Sequence, residues 1–255
     1  LGPAFFSVTF GAGGTTRSGT IETVVRTKSE TGIEVAPHLS CIEGTRESIG
    51  GFLERYKDAG VRRIVALRGD LPGDMESPGV FSCAAELVGF IREQSGDYFH
   101  IEVGCYPEFH PEAESATADL GYFREKVEAG ADSAMTQFFY NADAYFYFVE
   151  RVESMGVEIP IVPGIMPIWN YPKVASFAAG CGAEIPRWLK KRMEAYGEEE
   201  DADSQRELGI EFVSDLCQRL LEGGAPGLHF YALNRPEPTA TIWSNVGLPA
   251  AATAA

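Results

Sequence analysis

The sequence predicts a parallel α/β chain of the (β/α)8 TIM-barrel class. Seven short, continuously hydrophobic runs recur at intervals wide enough for a helix, and the intervals carry helical patterns. Most runs also end in polar residues, namely Thr9, His38, Arg68-Gly69-Asp70, Tyr106-Pro107-Glu108, Gln137 and Asn234-Arg235. Strand C-termini form the active face of such barrels, so these groups are expected to share one pocket. A closed barrel needs eight strands and the sequence carries seven, with Leu1-Gly2-Pro3 directly before the first. The expectation is therefore a barrel that lacks its first βα unit.

The expected strands are 5–10, 33–39, 63–67, 100–106, 133–139, 161–166 and 228–233. They are continuous rather than alternating in hydrophobicity, as in parallel strands covered on both faces. Helices are expected over 20–28, 46–58, 84–92, 116–128, 144–155 and 205–221. Glycines at Gly60, Gly130, Gly156 and Gly223-Gly224 supply left-handed stops. Residues 171–206 exceed one crossover helix and predict two, with Pro172 and Pro186 as starts. The run Glu198-Glu199-Glu200-Asp201 predicts a solvated loop, and 249–255 an Ala-rich disordered tail after a single barrel domain spanning 1–248.

Composition narrows the function. A chain of 255 residues with 45% hydrophobic content can bury a sizeable core, and a formal charge of −16 excludes a broad cationic face for nucleic acid or anionic membrane. No apolar run reaches the roughly 20 residues of a membrane span, and no signal peptide is visible. The five cysteines form no C-x-x-C pair, which points to reduced thiols and a cytoplasmic setting.

Several segments could carry chemistry. Arg68, Gly69 and Asp70 suit a ligand, though an Arg–Asp pair closing the rim would also explain them. His38 and His110, with nearby carboxylates, lack metal-site spacing, so no metal is expected and contact with a large ligand is favoured. His100 reads as packing. Gly11-Ala12-Gly13-Gly14 lacks the third glycine of a dinucleotide loop, and a tight turn explains it equally well. Gln137 beside Phe138-Phe139 could offer a donor and an acceptor to a planar heterocycle or merely cap its strand, while Arg235 suits a substrate carboxylate. No nucleophile arrangement or strand-end Schiff-base lysine accompanies these groups.

The strings SVTFGA (7–12), APHLSC (36–41), ALRGDLP (66–72), YPEFHPEA (106–113), KVEAGA (126–131), TQFF (136–139), IVPGIMP (161–167) and LHFYALNR (228–235) together resemble the methylenetetrahydrofolate reductase family. The likeness is collinear from residue 5 to 248. It implies an FAD-dependent barrel that reduces 5,10-methylenetetrahydrofolate to 5-methyltetrahydrofolate with NADH or NADPH by ping-pong hydride transfer, as a homo-oligomer. Carried over by motif, Thr9, Phe10, Ala12, His38, Arg68, Gly69 and Asp70 are implied at the flavin. Ser82, Tyr106, His110, Ala113, Asp119, Tyr122, Glu125 and Lys126 match outer FAD positions. Asp70 and Gln137 are the implied catalytic residues, with Asp70 restraining flavin reduction and favouring a cationic folate intermediate. Lys173, Phe177 and Arg235 are implied on the folate side.

Phe10 stands where a tyrosine is common and Glu125 where some members are basic. The family's first strand, with its general-acid glutamate, has no counterpart in the sequence, matching the expected missing unit. Alternatives are another flavin barrel oxidoreductase, such as a proline-dehydrogenase-like enzyme, and a noncatalytic flavin- or folate-binding subunit.

Overall fold

The computed structural model describes residues 1–9, 17–42, 44–70, 79–196 and 201–249. Strands and helices alternate through most of them. The chain divides into two compact units, Pro3–Gly104 with Tyr122–Ala134, and Cys105–Gly121 with Met135–Ala255 and Leu1–Gly2.

In the first unit β1 (Phe5–Val8), β2 (Glu34–Ser40), β3 (Arg63–Leu67) and β4 (His100–Cys105) pair in parallel and in chain order. His38 lies opposite Val65 and Arg63 opposite His100. The helices α1 (Arg17–Thr31), α2 (Arg46–Asp58) and α3 (Ala84–Ser95) make the crossovers. Thr45 starts α2 with a capping box, its side chain accepting the Ser48 amide while Ser48 accepts the Thr45 amide. That helix buries Ile49, Leu53 and Tyr56, and α3 buries Leu87, Val88, Phe90 and Ile91. Gly60 and Gly130 take positive φ where stops were expected.

One polar layer interrupts this apolar core. Glu102 of β4 is 2% exposed, accepts a hydrogen bond from Ser133 Oγ at 2.5 Å and pairs with Arg63 of β3. His100 Nε2 lies 2.6 Å from Ser133 Oγ and 3.4 Å from Glu102. Burial alone would raise the Glu102 pKa, but hydrogen bonds from His100 and Ser133 and the charge of Arg63 outweigh it and hold the carboxyl below its ordinary range. His100 thus belongs to a structural network.

Strands β5 (Ser133–Thr136) and β6 (Ile161–Val162) come next along the chain. The second unit holds α5 (Ala142–Ser154), β7 (Gly164–Ile165), α6 (Tyr171–Cys181), α7 (Arg187–Glu194), α8 (Ala202–Glu222), β8 (His229–Phe230) and α9 (Pro236–Asn245). The single strand expected over 161–166 is divided at Pro163, which has no amide for a ladder. Beyond it, β7 pairs in parallel with β8. Tyr231 Oη donates to the Thr136 carbonyl at 2.9 Å. A Cβ on Gly164 would strike that same carbonyl and lie 2.7 Å from Tyr231 Cε2, so only glycine fits.

The two helices expected after residue 171 are α6 and α7, with Pro172 in the first turn of α6 and Pro186 as the N-cap of α7, and α8 already begins at Ala202. The Asp201 side chain caps α8 by accepting the Ser204 amide at 3.1 Å, while Glu198–Glu200 of the expected acidic loop lie outside the described residues. So does the tail from residue 250. Helix α9 was not among the expected helices. The described cysteines are free thiols, and among the described residues no helix is long and apolar enough to cross a membrane.

Candidate active site

The first unit gathers polar groups where β1, β2 and β3 end. Thr9 is exposed just past β1, and His38 is half-buried within β2. Backbone bonds lock the end of β3: the Cys41 amide donates to the Leu67 and Arg68 carbonyls at 3.2 Å, and Ser40 Oγ donates to the Arg68 carbonyl at 3.0 Å. Gly69 then turns the chain at φ +85°, and a Cβ there would strike Ser40 Oγ and lie 2.7 Å from Ile42 Cγ1. Its missing side chain is a steric requirement. Arg68 Nε donates to the Gly69 carbonyl at 3.1 Å, and Asp70 is exposed at the edge of the described segment. Phe10 and Ala12 lie outside the described residues, as does the 11–16 loop.

Further out in this unit, Ser82 is exposed and its amide donates to Glu86 at 2.7 Å. Helix α4 (Ala116–Glu128) carries Asp119, Tyr122, Glu125 and Lys126 at near-helical spacing. Tyr122 and Glu125 are exposed, while Lys126 Nζ donates to the Gly104 carbonyl at 2.7 Å, anchoring it at the end of β4.

The second unit presents the loop after β4. Tyr106 and His110 meet edge to face at 4.6 Å, and the Ala113 amide donates to the His110 carbonyl at 2.9 Å. Asp119 is buried and accepts the His110 amide at 3.1 Å, a geometry that positions the loop. At the end of β5 the Gln137 amide donates to the Cys105 carbonyl at 2.8 Å. Gln137 Oε1 accepts the Phe138 amide, so its side-chain nitrogen is the group left to donate outward.

Lys173, Phe177 and Arg235 lie on α6 and after β8. Leu233 and Asn234 take left-handed φ of 48° and 57°, a strained pair that turns the chain immediately before Arg235. The Arg235 guanidinium sits 4.1 Å over the Trp169 ring and the Lys173 ammonium 5.4 Å from the same ring. Trp169 Nε1 is buried without a hydrogen-bond partner. Phe177 is exposed nearby in sequence, on α6. Trp169 was missed in the sequence because an aromatic after a strand reads as packing, although its place beyond β7 obeys the strand-end rule. Two cations over one indole make an anion-seeking corner in a strongly acidic chain.

Among the described residues no cluster of three or more His, Cys, Asp or Glu side chains could hold a metal. The sequential parallel strands and polar strand ends define a barrel-class α/β protein of the kind that carries its chemistry on the C-terminal face. Residues 1–247 match the family model for methylenetetrahydrofolate reductase. The 5,10-methylenetetrahydrofolate reductase of Salmonella typhimurium is 40% identical over 97% of this chain and 82% of its own length. That of Escherichia coli is 38% identical over the same shares. Methylenetetrahydrofolate reductase (NADH) 1 of Arabidopsis thaliana is 38% identical over 97% of this chain and 44% of its own. Among solved structures, an uncharacterized protein from Clostridium thermocellum that binds two copies of 5-methyl-5,6,7,8-tetrahydrofolic acid shares the fold, with a TM-score of 0.53 and 17% identity over 94% of this chain and 92% of that one. The chain belongs to the methylenetetrahydrofolate reductase family.

Proposed function

We propose that this protein reduces 5,10-methylenetetrahydrofolate to 5-methyltetrahydrofolate, consuming NADH or NADPH and a proton, with FAD as the carrier. The observation that carries this is family membership along the whole chain together with strand-end groups of the type that chemistry needs. The name of the Arabidopsis relative supports NADH as the donor. The turn at Gly69 supports a bound ligand, because its packing on Ser40 and Ile42 fixes the backbone between Arg68 and Asp70 at the end of β3. When bound, FAD supplies a two-electron carrier that accepts hydride from the nicotinamide and passes it to the folate, the two substrates taking turns.

In this reading Thr9, His38, Arg68 and Gly69 hold the flavin, and Ser82, Tyr106, His110, Ala113, Tyr122, Glu125 and Lys126 hold its outer portion. Asp119 supports them by fixing the His110 loop. Asp70 keeps a negative charge that disfavours added electron density and favours a cationic folate. Gln137 orients whichever substrate is bound through its side-chain nitrogen. Arg235 and Lys173 over Trp169 take the folate's carboxylate end, and Phe177 supplies apolar surface for its ring system.

An anaerobic absorbance titration of the full-length protein tests this. Flavin bands that bleach with NADH and return with methylenetetrahydrofolate are the expected result. A bleach without folate-driven return would assign another flavin oxidoreductase. Absence of flavin binding after FAD is added would overturn the cofactor.

A further inference from the structure

Glu108 has no role in the reading above, yet its carboxyl is held at a cost in the loop after β4. Burial disfavours its charge and the nearby Glu184 carboxylate adds repulsion. The Glu184 amide compensates only in part, so the Glu108 pKa is raised. The next residue, Phe109, holds φ +62° with a bulky side chain that is 52% exposed. Left-handed backbone at an aromatic residue is rare and costs energy. Two adjacent costs that persist at a strand end point to a requirement of function.

The requirement is visible in what Glu108 joins. Its Oε2 accepts the backbone amide of Glu184 at 2.8 Å, 76 residues away in the turn between α6 and α7. Beside it, Gly182 closes α6 at φ +72°, and a Cβ there would lie 2.5 Å from Pro111 Cγ, so the turn packs directly on the loop. Tyr106, Glu108, Gln137, Phe138, Cys181 and Gly182 line one narrow crevice. The loop carries Tyr106 and His110, and α6 carries Lys173 and Phe177.

We propose that Glu108 is a positioning residue that latches the C-terminal end of the folate-side helix α6 to the loop bearing Tyr106 and His110, setting the geometry in which Lys173 and Phe177 of α6 meet the folate. This rests on the functional reading above. A carboxylate is not essential to the latch, since any side-chain carbonyl of the same length can accept the Glu184 amide. Charge therefore separates from position in the test.

Glu108→Ala and Glu108→Gln holoenzymes are compared with wild type in the NADH–folate reaction and in NADH oxidation with menadione as acceptor, which needs no folate. Hydrogen exchange at the Glu184 amide is followed alongside. In Glu108→Ala the folate KM is expected to rise about tenfold, the equivalent of one lost hydrogen bond. The menadione rate stays at the wild-type level and the Glu184 amide exchanges faster. Glu108→Gln restores both. Equal loss of both activities, or an unchanged folate KM, would overturn the proposal, and so would an unchanged exchange rate. If wild type itself fails to reduce folate, the functional reading falls. The Glu184 exchange, which needs no substrate, then still decides whether the latch exists.

Discussion

Replacing Glu102 tests whether the buried polar layer in the first unit stabilises the fold through charge. The carboxylate is 2% exposed and serves Arg63 and Ser133 at once, so Glu102→Ala takes the carboxylate from the guanidinium and from the Ser133 hydroxyl, which keeps its contact with His100. Breaking a buried pair from one side costs about 3–5 kcal/mol, and the partial exposure of Arg63 places the expected loss near the lower end, ~3 kcal/mol. Glu102→Gln keeps the shape and one acceptor but loses the charge-assisted bond, an expected ~1.5–3 kcal/mol. Denaturant titrations from pH 8 to pH 3.5 read the effect. The folded-state pKa lies below the ordinary 4.5, so the ion-pair stabilisation is complete above about pH 5 and is lost as pH falls through the depressed folded value. The gap between wild type and Glu102→Gln should therefore be flat from pH 8 to 5 and shrink below 4.5. A Glu102→Ala cost under about 1 kcal/mol at pH 7, or a gap that stays constant on acidification, would refute the account.

Other substitutions address the site and the second unit. Gly69→Ala forces a Cβ against Ser40 and Ile42, and the protein is expected to keep its circular dichroism while losing tenfold or more in FAD affinity, read by flavin fluorescence on dilution. Tyr231→Phe removes the donor to the Thr136 carbonyl, and a fall of about 1–2 kcal/mol is expected as a lower midpoint with unchanged m-value. Arg235→Gln loses the cation held over Trp169 and should raise the folate KM about tenfold while leaving NADH–menadione turnover unchanged. Trp169→Leu should do the same, because it removes the surface that aims both cations.

The strands were legible because burial on both faces writes an unbroken apolar run. Their end residues were legible because a polar group is conspicuous after such a run. Pro163 marks where this reading stops. The proline is plain in the sequence, but the change of partner is set by residues far along the chain. Pro163 gives its carbonyl to the His229 amide, and the next amide, of Gly164, goes to Thr136 Oγ1. Helix α9 was lost for a related reason. Its start follows two left-handed residues that no local propensity requires, and it buries only Thr239 and Ile242.

The same division runs through the candidate site. Arg68, Gln137, Arg235 and Glu108 announce themselves by charge or amide at a strand end, whereas the roles of Trp169 and Glu108 come only from partners on other elements. Trp169 is a platform because Arg235 and Lys173 reach it from β8 and α6, and Glu108 is a tie because an amide 76 residues later points at it. Glu102 follows this rule in the core, where one acidic residue in an apolar strand is explained by Arg63 on β3 and Ser133 on β5. A strand-end rule marks a polar group but does not tell one that faces a ligand from one that faces another element. Residues that position the chemistry are of the second kind, so the Glu108→Gln rescue bears on more than one side chain. If position alone is restored by an uncharged acceptor, the latch is defined by its geometry, and a sequence reading keyed to charge finds the residue without finding its partner.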